Sequence, residues 1–425
     1  MCGPIQSACV PGVRVRRTKA LTTTLMIGMR MTKMERRQRS FMSENNSGLT
    51  DRATLANSKR VVVKVGSSLL TSHAAGIEHE KINSYCAQIS ALVASGMEVI
   101  LVSSGAVAEG CKRLGWSQRP TLIHQLQAAA AVGQMGLVQA YEDALSKFSC
   151  GTAFVMLTHD DLADRQRYLN ARGTLNTLVS MGVVPVINEN DTVATDEIRF
   201  GDNDTLAALV ANLLEADLLI ILTDVEGLLD ADPRVNANAK RVVTAVATDP
   251  GLDAMPGEGA GALGRGGMVT KVRAGRLAAR SGADTLIASG HESDVLTRLI
   301  KGEDIGTLLT AEISPLNARK RWIAGHLRAK GTLRVDAGAV SALRDRGVSL
   351  LAAGIIQVQG DFLRGDVVRC ISEQGALVAQ GLSNYSSSEI EKIKGLNSEV
   401  FAQVIEHVVE PEVLHRDNLV LLEET

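Results

Sequence analysis

Short apolar runs rich in β-branched residues recur along the chain from Lys59 onward, and stretches with a helical pattern separate them. This alternation is typical of an α/β fold, in which helices flank a mostly parallel sheet. The strands are predicted at residues 60–65, 98–103, 152–157, 183–187, 217–223 and 284–288. Because ligands bind beyond the carboxyl ends of the strands in such a sheet, the residues that follow each run are the first candidates for a site.

The pattern changes after a basic stretch at residues 318–328. Beyond it the chain has only short strand-like runs, at residues 332–335, 355–358, 366–370 and 376–380. We therefore predict an α/β domain at residues 59–317, a linker at residues 318–328 and a small, mostly β domain at residues 329–415.

Residues 1–58 form a basic extension with almost no acidic side chains. Its cations are Arg14, Arg16, Arg17, Lys19, Arg30, Lys33, Arg36, Arg37 and Arg39. Such a composition fits a disordered or non-native extension, an organelle-targeting peptide or a basic interaction arm. The residues alone leave these three interpretations open.

Composition narrows the choice of partners. The formal net charge of −2 provides no overall attraction to nucleic acid or to acidic membrane surfaces, so anions must bind at local sites. Aromatic residues make up 3% of the chain, which argues against recognition by stacking. The six cysteines include no CxxC pair, and no apolar run approaches the ~20 residues of a membrane span. We therefore expect a cytoplasmic protein with reduced thiols.

Two predicted strands end in turns that combine glycine with hydroxyl side chains. The first strand carries Lys64 next to its last residue and is followed by Gly66 and two serines, while the second is followed by Ser104 and Gly105 at the start of a helix. Backbone amides in such turns bind anions, and a lysine adds a positive charge. The alternatives are a solvated surface lysine and an ordinary serine cap.

The densest polar cluster follows the fourth predicted strand, at residues 188–191 and 201–205. Short amides and carboxylates at this density indicate a ligand site, although a solvated turn is the alternative. We predict that Asp204 caps the following helix and that Asn190 and Asn203 donate to a carboxylate. The acidic side chains can orient an ammonium group or lysines, so the cluster suits an α-amino acid.

Two further segments favour a nucleotide. Thr223 and Asp224 close the fifth predicted strand, and a glycine-rich loop at residues 259–271 leads into a helix that begins near Met268, with Lys271 in its first turn. A surface turn and a flexible linker are the alternatives. Phosphoryl transfer needs positive charge and in-line positioning rather than covalent chemistry, and these residues fit that need. The chain has no P-loop pattern and no Ser-His-Asp or Cys-His arrangement at the strand ends.

Five segments together resemble the motifs of the glutamate 5-kinases, a branch of the amino acid kinase family, and the block at residues 183–204 is the most specific of them. They lie at residues 61–71, 102–110, 183–204, 222–228 and 264–271. The resemblance implies an open, mostly parallel sheet sandwiched by helices. It also implies transfer of the γ-phosphoryl group of ATP to the side-chain carboxylate of L-glutamate, with Mg²⁺, as the first step of proline biosynthesis. Feedback inhibition by proline and assembly into dimers or tetramers are further expectations.

The resemblance also assigns roles to individual residues. Lys64 and Lys271 would stabilise the transferring phosphoryl group, and Asp204 would organise the two lysines. Ser104, Asp191 and Asn203 would bind L-glutamate. The nucleotide would contact Lys64, Thr223, Asp224, Arg265, Gly266, Gly267, Met268, Val269, Thr270 and Lys271. No protein side chains are assigned as metal ligands. Arg265 departs from the small Thr or Ser that the family pattern leads us to expect, so it either adds a phosphate contact or points outward.

The tail from about Ala329 resembles a PUA domain, a fold best known from RNA-modifying enzymes. An RNA-binding function is therefore an alternative, but Arg364, Arg369 and Lys394 are too sparse for a basic stripe. An inactive amino-acid sensor is a second alternative, since fold does not determine function. Aspartokinase, acetylglutamate kinase, UMP kinase and carbamate kinase share the family fold, and the PUA-like tail with the block at residues 183–204 favours glutamate 5-kinase over them.

Overall fold

A computed structural model of the protein contains two main β-sheets, one in each predicted folded domain. It describes residues 51–72, 76–193, 203–231, 236, 238–253, 255, 267–312, 329–406, 408 and 410–422. The predicted linker at residues 318–328 and residues 1–50 of the extension lie outside these ranges.

The first sheet has eight strands in the order β5-β6-β4-β1-β7-β9-β10-β8. A small hairpin, β2 (Thr71–Ser72) and β3 (Gly76–Ile77), follows the first strand. The sheet strands are β1 (Arg60–Val65), β4 (Glu98–Ser103), β5 (Gly151–Leu157), β6 (Val183–Glu189), β7 (Leu218–Thr223), β8 (Thr244–Val246), β9 (Asp284–Ser289) and β10 (Thr307–Thr310). Only the β9–β10 pair is antiparallel among the pairs of this sheet that the structure describes. The predicted mostly parallel sheet is confirmed, although β8 and β10 were not predicted.

Helices cover both faces of this sheet. They are α1 (Ser67–Leu70), α2 (His79–Ala94), α3 (Ala106–Arg113), α4 (Ile123–Ser146), α5 (His159–Ala163), α6 (Arg165–Ser180), α7 (Asn203–Leu214), α8 (Met268–Ala279) and α9 (Val295–Ile300). Within the described residues, no helix has both the length and the apolarity that crossing a membrane would require.

The alternation of side chains along β1 divides the core between the two faces. Val61, Val63 and Val65 pack in one apolar cluster with α2 and α4, whereas Val62 packs in another with α7 and α8. Successive side chains of a strand point to opposite faces, so Lys64 shares the face of Val62. The strand therefore directs this lysine toward the two helices that carry Asp204 and Lys271.

The tail forms a separate five-stranded sheet in the order β12-β11-β13-β14-β15. Its elements are β11 (Gly331–Val335), α10 (Ala337–Arg346), β12 (Ile355–Gln359), β13 (Val367–Ile371), β14 (Leu377–Leu382), α11 (Ser387–Ile393) and β15 (Leu419–Leu421). All four predicted tail strands are present. Strand β15 pairs with β14, which extends the mostly β domain past the predicted end at residue 415.

Residues 51–58, assigned above to the extension, pack on the α/β domain. A 3₁₀ helix spans Arg52–Asn57, and Leu55 is buried in the same core as β1. The Arg52 guanidinium donates to the backbone oxygens of Val243, Ile305 and Gly306 over 2.8 to 3.0 Å. In contrast to the predicted boundary at residue 58, this stretch belongs to the folded domain.

Candidate active site

Two buried lysines share one buried carboxylate at the carboxyl edge of the first sheet. Lys64 Nζ lies 2.6 Å from Asp204 Oδ1, and Lys271 Nζ lies 3.1 Å from Asp204 Oδ2. The three residues are 6%, 4% and 1% exposed in the order Lys64, Lys271, Asp204. We call this group the lysine triad. With two cations and one anion, the lysine triad has a net positive charge. The predicted phosphoryl-transfer site requires such a charge.

Each member of the lysine triad comes from a different element. Lys64 is the next-to-last residue of β1, Asp204 lies in the first turn of α7 and Lys271 in the first turn of α8. Asp204 does not occupy the cap position that we predicted, because the helix already begins at Asn203. Its carboxylate instead accepts hydrogen bonds from Thr270 Oγ1 over 2.8 Å and from Lys271 Nζ.

The electrostatics of the lysine triad follow from burial and proximity. Burial by itself would raise the pKa of Asp204, but the charges of Lys64 and Lys271 and the Thr270 hydrogen bond outweigh it and lower the pKa to about 2. Burial lowers the pKa of Lys271, and the nearby Lys64 adds to that effect, while Asp204 opposes it. Asp204 therefore stays ionised at neutral pH and holds the two cations together.

A second polar group lies beside the lysine triad, on the turn after β4. Asn203 Nδ2 donates to Ser103 O over 2.9 Å, to Ser104 Oγ over 2.8 Å and to Asn188 Oδ1 over 3.0 Å. Three acceptors already surround the two hydrogens of this amide. This differs from the predicted donation by Asn203 to a substrate carboxylate, because the polar atom outside these bonds is Oδ1, an acceptor.

The turn between β4 and α3 leaves backbone amides at the site. Gly105 has φ of 113°, a left-handed conformation that glycine adopts without strain, and it precedes α3 without a side-chain cap. Ser104 accepts from Asn203 and does not cap the helix, so the alternative of an ordinary serine cap does not apply. The uncapped amides at the start of α3 favour an anion.

Asn188 and Glu189, which belong to the polar cluster that we predicted as a ligand site, are buried, at 2% and 3% exposure, so the alternative of a solvated turn does not apply to them. The reason is that β6 continues through Glu189, two residues beyond the predicted end. Hydrogen bonds compensate for the burial of Asn188, since it accepts from Asn203 and donates from Nδ2 to Gln134 Oε1 on α4 over 2.9 Å. The polar cluster is thus part of the interior that supports the site.

A cavity of about 570 Å³ joins the two polar groups. Among the predicted site residues, the cavity is lined by Lys64, Ser104, Asp191, Asn203, Thr223, Asp224, Gly267, Met268 and Lys271. Asp204 and Thr270 do not line the cavity, but Asp204 accepts hydrogen bonds both from Thr270 and from Lys271, which does line it. Val269 is 53% exposed and does not line the cavity. Arg265 and Gly266 lie outside the described residues.

Sequence reasoning assigned no individual role to three residues that the structure brings to this site. Arg119 lines the cavity from the loop between α3 and α4, Glu189 lines it from β6, and Gln134 bonds Asn188 from behind. The position of Glu189 directly after an apolar strand was a usable signal. Arg119 and Gln134 stand in segments without a motif, so only the three-dimensional structure reveals them.

Within the described residues, no cluster of three or more His, Cys, Asp or Glu side chains can hold a metal ion. The four cysteines in these ranges, Cys86, Cys111, Cys150 and Cys370, are free.

A mostly parallel α/β sheet with a lysine triad and a polar cavity at its carboxyl edge defines a class of protein. This class consists of the enzymes that transfer a phosphoryl group by electrostatic stabilisation.

Two parts of the chain match known family models. Residues 59–289 match the family model of the amino acid kinase family, and residues 331–405 match the PUA domain. The UMP kinase of Bacillus anthracis is similar in structure, with a TM-score of 0.42 and 16% identity over 60% of this chain and 98% of that chain.

Two curated relatives are much more similar in sequence. The glutamate 5-kinase of Chromohalobacter salexigens is 57% identical over 90% of this chain and 100% of its own length. The glutamate 5-kinase of Pseudomonas syringae pv. tomato is 57% identical over 87% of this chain and 100% of its own length. The chain belongs to the amino acid kinase family and, within that family, to the glutamate 5-kinases.

Proposed function

We propose that this enzyme transfers the γ-phosphoryl group of ATP to the side-chain carboxylate of L-glutamate and releases L-glutamyl 5-phosphate and ADP. The observation that carries the proposal is the lysine triad, in which Lys64 and Lys271 meet at the single carboxylate of Asp204 beside an amide-rich cavity. Membership in the glutamate 5-kinases supports the choice of acceptor.

In the proposed reaction an oxygen of the glutamate side-chain carboxylate attacks the γ-phosphorus of ATP. The bond between that phosphorus and the bridging oxygen breaks, and ADP leaves with the electron pair, so no covalent enzyme intermediate forms. Lys64 and Lys271 stabilise the negative charge on the transferring group and on the bridging oxygen. Asp204 fixes both ammonium groups before substrate arrives, which lowers the reorganisation that the transition state demands.

The acceptor binds in the part of the cavity formed by Ser104, Asp191 and Asn203. The amides at the start of α3 offer hydrogen bonds to a carboxylate, while the Asp191 carboxylate and Asn203 Oδ1 are acceptors that suit the α-ammonium group. L-Glutamate presents both kinds of group. The polar lining thus fits an α-amino acid better than an uncharged alcohol.

The nucleotide binds on the other side of the lysine triad. Thr223 is the last residue of β7 and Asp224 follows it, and Gly267 precedes α8 with no side-chain cap, so the amides at the start of that helix are available to phosphate oxygens. We assign Met268, Thr270 and Lys271 to this side, together with Arg265, Gly266 and Val269 as expected from the family.

Mg²⁺ fits this site as a partner of the ATP phosphates. It usually keeps several water ligands and binds through substrate phosphates, so a dedicated protein cage is not needed. When bound, it neutralises charge on the phosphates.

Family membership supports three further proposals. We propose that L-proline inhibits the enzyme, that the enzyme assembles as a dimer or tetramer and that the enzyme works in the cytoplasm.

A product assay tests the proposed function. Purified protein is incubated with ATP, Mg²⁺, hydroxylamine and one acidic amino acid at a time, because hydroxylamine converts an acyl phosphate into a coloured hydroxamate. We expect hydroxamate with L-glutamate and none when ATP or L-glutamate is omitted. Product with L-aspartate or N-acetyl-L-glutamate and not with L-glutamate would instead identify another member of the amino acid kinase family.

A further inference from the structure

A chain of three amide side chains connects helix α4 to the acceptor side of the site. Gln134 Oε1 accepts from Asn188 Nδ2 over 2.9 Å, Asn188 Oδ1 accepts from Asn203 Nδ2 over 3.0 Å, and Asn203 Nδ2 also donates to Ser104 Oγ. We call Gln134, Asn188 and Asn203 the amide relay. Only Asn188 and Asn203 line the cavity, while Gln134 lies behind it.

The orientation of each amide group in the amide relay follows from the contact of Asn203 with Ser103. Ser103 O is a backbone carbonyl that only accepts, so the neighbouring atom of Asn203 must be its NH₂ group. The same NH₂ group faces Asn188, which therefore presents its oxygen to Asn203 and its own NH₂ group to α4. That NH₂ group requires an acceptor, and Gln134 Oε1 supplies it.

The orientation of Asn188 thus depends on Gln134. Asn188 is 2% exposed, so water does not readily replace a lost acceptor. Without that acceptor, a flip of the Asn188 amide would bring two NH₂ groups face to face at Asn203. Asn203 would then lose a partner on the side of the cavity where the amino acid binds.

We infer that Gln134 is a positioning residue for the amino-acid acceptor, one that acts through Asn188 and Asn203 without contacting the substrate. This inference rests on the proposed function, because it names a further determinant of the same acceptor site. Gln134 Nε2 supports it, since among the described residues this buried atom has no hydrogen-bond partner. The acceptor oxygen is therefore the part of Gln134 that the structure uses.

The test compares substitutions that keep or remove the acceptor. Gln134→Leu removes it at similar size, whereas Gln134→Glu keeps an oxygen facing Asn188. For Gln134→Leu we expect KM for L-glutamate to rise about threefold to tenfold, the range for one lost buried hydrogen bond, with kcat and KM for ATP changed by less than about twofold. Gln134→Glu should recover most of the affinity for L-glutamate.

Gln139→Leu is the matched control, because Gln139 is exposed on the same helix and its side chain donates to Asp143 Oδ1 over 2.8 Å, away from the cavity. It should leave all three kinetic constants near those of the unmodified enzyme. If Gln134→Leu does not fold, Gln134→Met replaces it, since methionine also lacks an acceptor of this strength and matches glutamine in length.

A double substitution decides whether Gln134 acts through Asn188. In an Asn188→Ala background, Gln134→Leu should have no further effect on KM for L-glutamate. An undiminished effect in that background, an unchanged KM in Gln134→Leu, or equal losses for L-glutamate and ATP would overturn the inference. Absence of turnover in the unmodified enzyme would instead refute the proposed function, so the two failures are distinguishable.

Discussion

Asp204 places one negative charge between two lysines, so that the lysine triad keeps a net positive charge in the interior. A buried charge without partners is strongly destabilising, and the contacts of 2.6 and 3.1 Å to Lys64 and Lys271 provide the compensation. The lysine triad by itself carries one more positive charge than negative charge, which favours the binding of an anion. The same three side chains therefore serve both the binding of the anionic substrate and the phosphoryl transfer that we propose.

Replacing either lysine should affect the chemical step more than substrate affinity. We expect Lys64→Met and Lys271→Met each to lower kcat on the order of 10²-fold or more, because each removes a preorganised charge from the transferring phosphoryl group. Steady-state hydroxamate assays measure this. Lys147→Met is a control, because Lys147 bonds Asn83 on the surface over 2.8 Å. Losses confined to KM would contradict the proposed role of both lysines.

Asp204 should also make the stability of the protein depend on acidic pH. Its pKa is about 2 in the folded chain and 3.8 in the reference state, so below about pH 4 the unfolded chain takes up a proton that the folded chain does not. The stabilisation is complete above pH 4 and decreases as the pH falls toward 2. From pH 5 to pH 3 this residue should account for a loss of about 1 kcal/mol.

Urea unfolding at pH 5 and pH 3 measures that loss. The free energy of unfolding should fall by about 1 kcal/mol more in the unmodified protein than in Asp204→Asn, because asparagine has no proton to gain. Equal losses in the two proteins would show that the pKa of Asp204 is not depressed in the folded chain.

At the level of residues, position at or just beyond the end of a strand was the informative signal. It selected Lys64, Ser104, Asp191 and Thr223, all of which line the cavity. The signal does not extend to Gln134, because a glutamine in the middle of a 24-residue helix has no local feature that distinguishes it from a surface residue. Its importance depends on Asn188, which lies 54 positions away in the sequence.

At the level of elements, α3 and α4 approach each other with almost no space between their backbones. A Cβ atom on Gly133 of α4 would lie 1.9 Å from Ala106 O, and one on Gly110 of α3 would lie 1.7 Å from Ala129 O. Ala106 begins α3 and lines the cavity. Because the two glycines allow this close approach of α3 and α4, they determine the position of the backbone amides at the start of α3.

Gly133→Ala should displace the start of α3 from the site. Overpacking of this kind lowers the free energy of unfolding by about 1–3 kcal/mol, and we expect KM for L-glutamate to rise more than KM for ATP. Gly173→Ala on α6 is the control, because its Cβ would meet no atom within 4 Å. That control should be neutral or stabilising, by up to about 1 kcal/mol. An unchanged stability in Gly133→Ala would show that the helices separate freely.

Elements with a strong pattern were predictable and short ones were not. The buried strand β7 begins with five consecutive apolar residues and β1 has three consecutive valines before Lys64, and these runs identified the two strands directly. Strand β8 has only three residues and β10 only four. Their positions in the sheet are determined by pairing with strands from other parts of the sequence, which a local pattern does not show. The cap prediction for Asp204 failed because α7 already begins at Asn203. The partners of Asp204 were also not evident locally, since the two lysines come from β1 and α8.

At the level of the whole molecule, each sheet has its own apolar core. The core of the tail consists of buried side chains between Leu333 and Leu419, including Phe362, Tyr385 and Phe401. Tyr385 and Phe401 meet edge to face with their ring centroids 5.9 Å apart. The clusters around the first sheet draw on residues between Leu55 and Leu309. Local sequence predicted this division, whereas the packing of residues 51–58 on the α/β domain depends on Arg52 and its distant carbonyl partners.

Because its core is self-contained, the tail should fold as a separate fragment. A chain of residues 329–425 is close to the size at which single domains are stable, so we expect a cooperative urea transition by circular dichroism and fluorescence. The complementary chain of residues 1–317 contains every proposed site residue and should still form hydroxamate from L-glutamate. A non-cooperative transition in the tail fragment would mean that its five strands need the α/β domain. Loss of turnover in a folded 1–317 chain would mean that the tail contributes to catalysis, although the described cavity contains none of its residues.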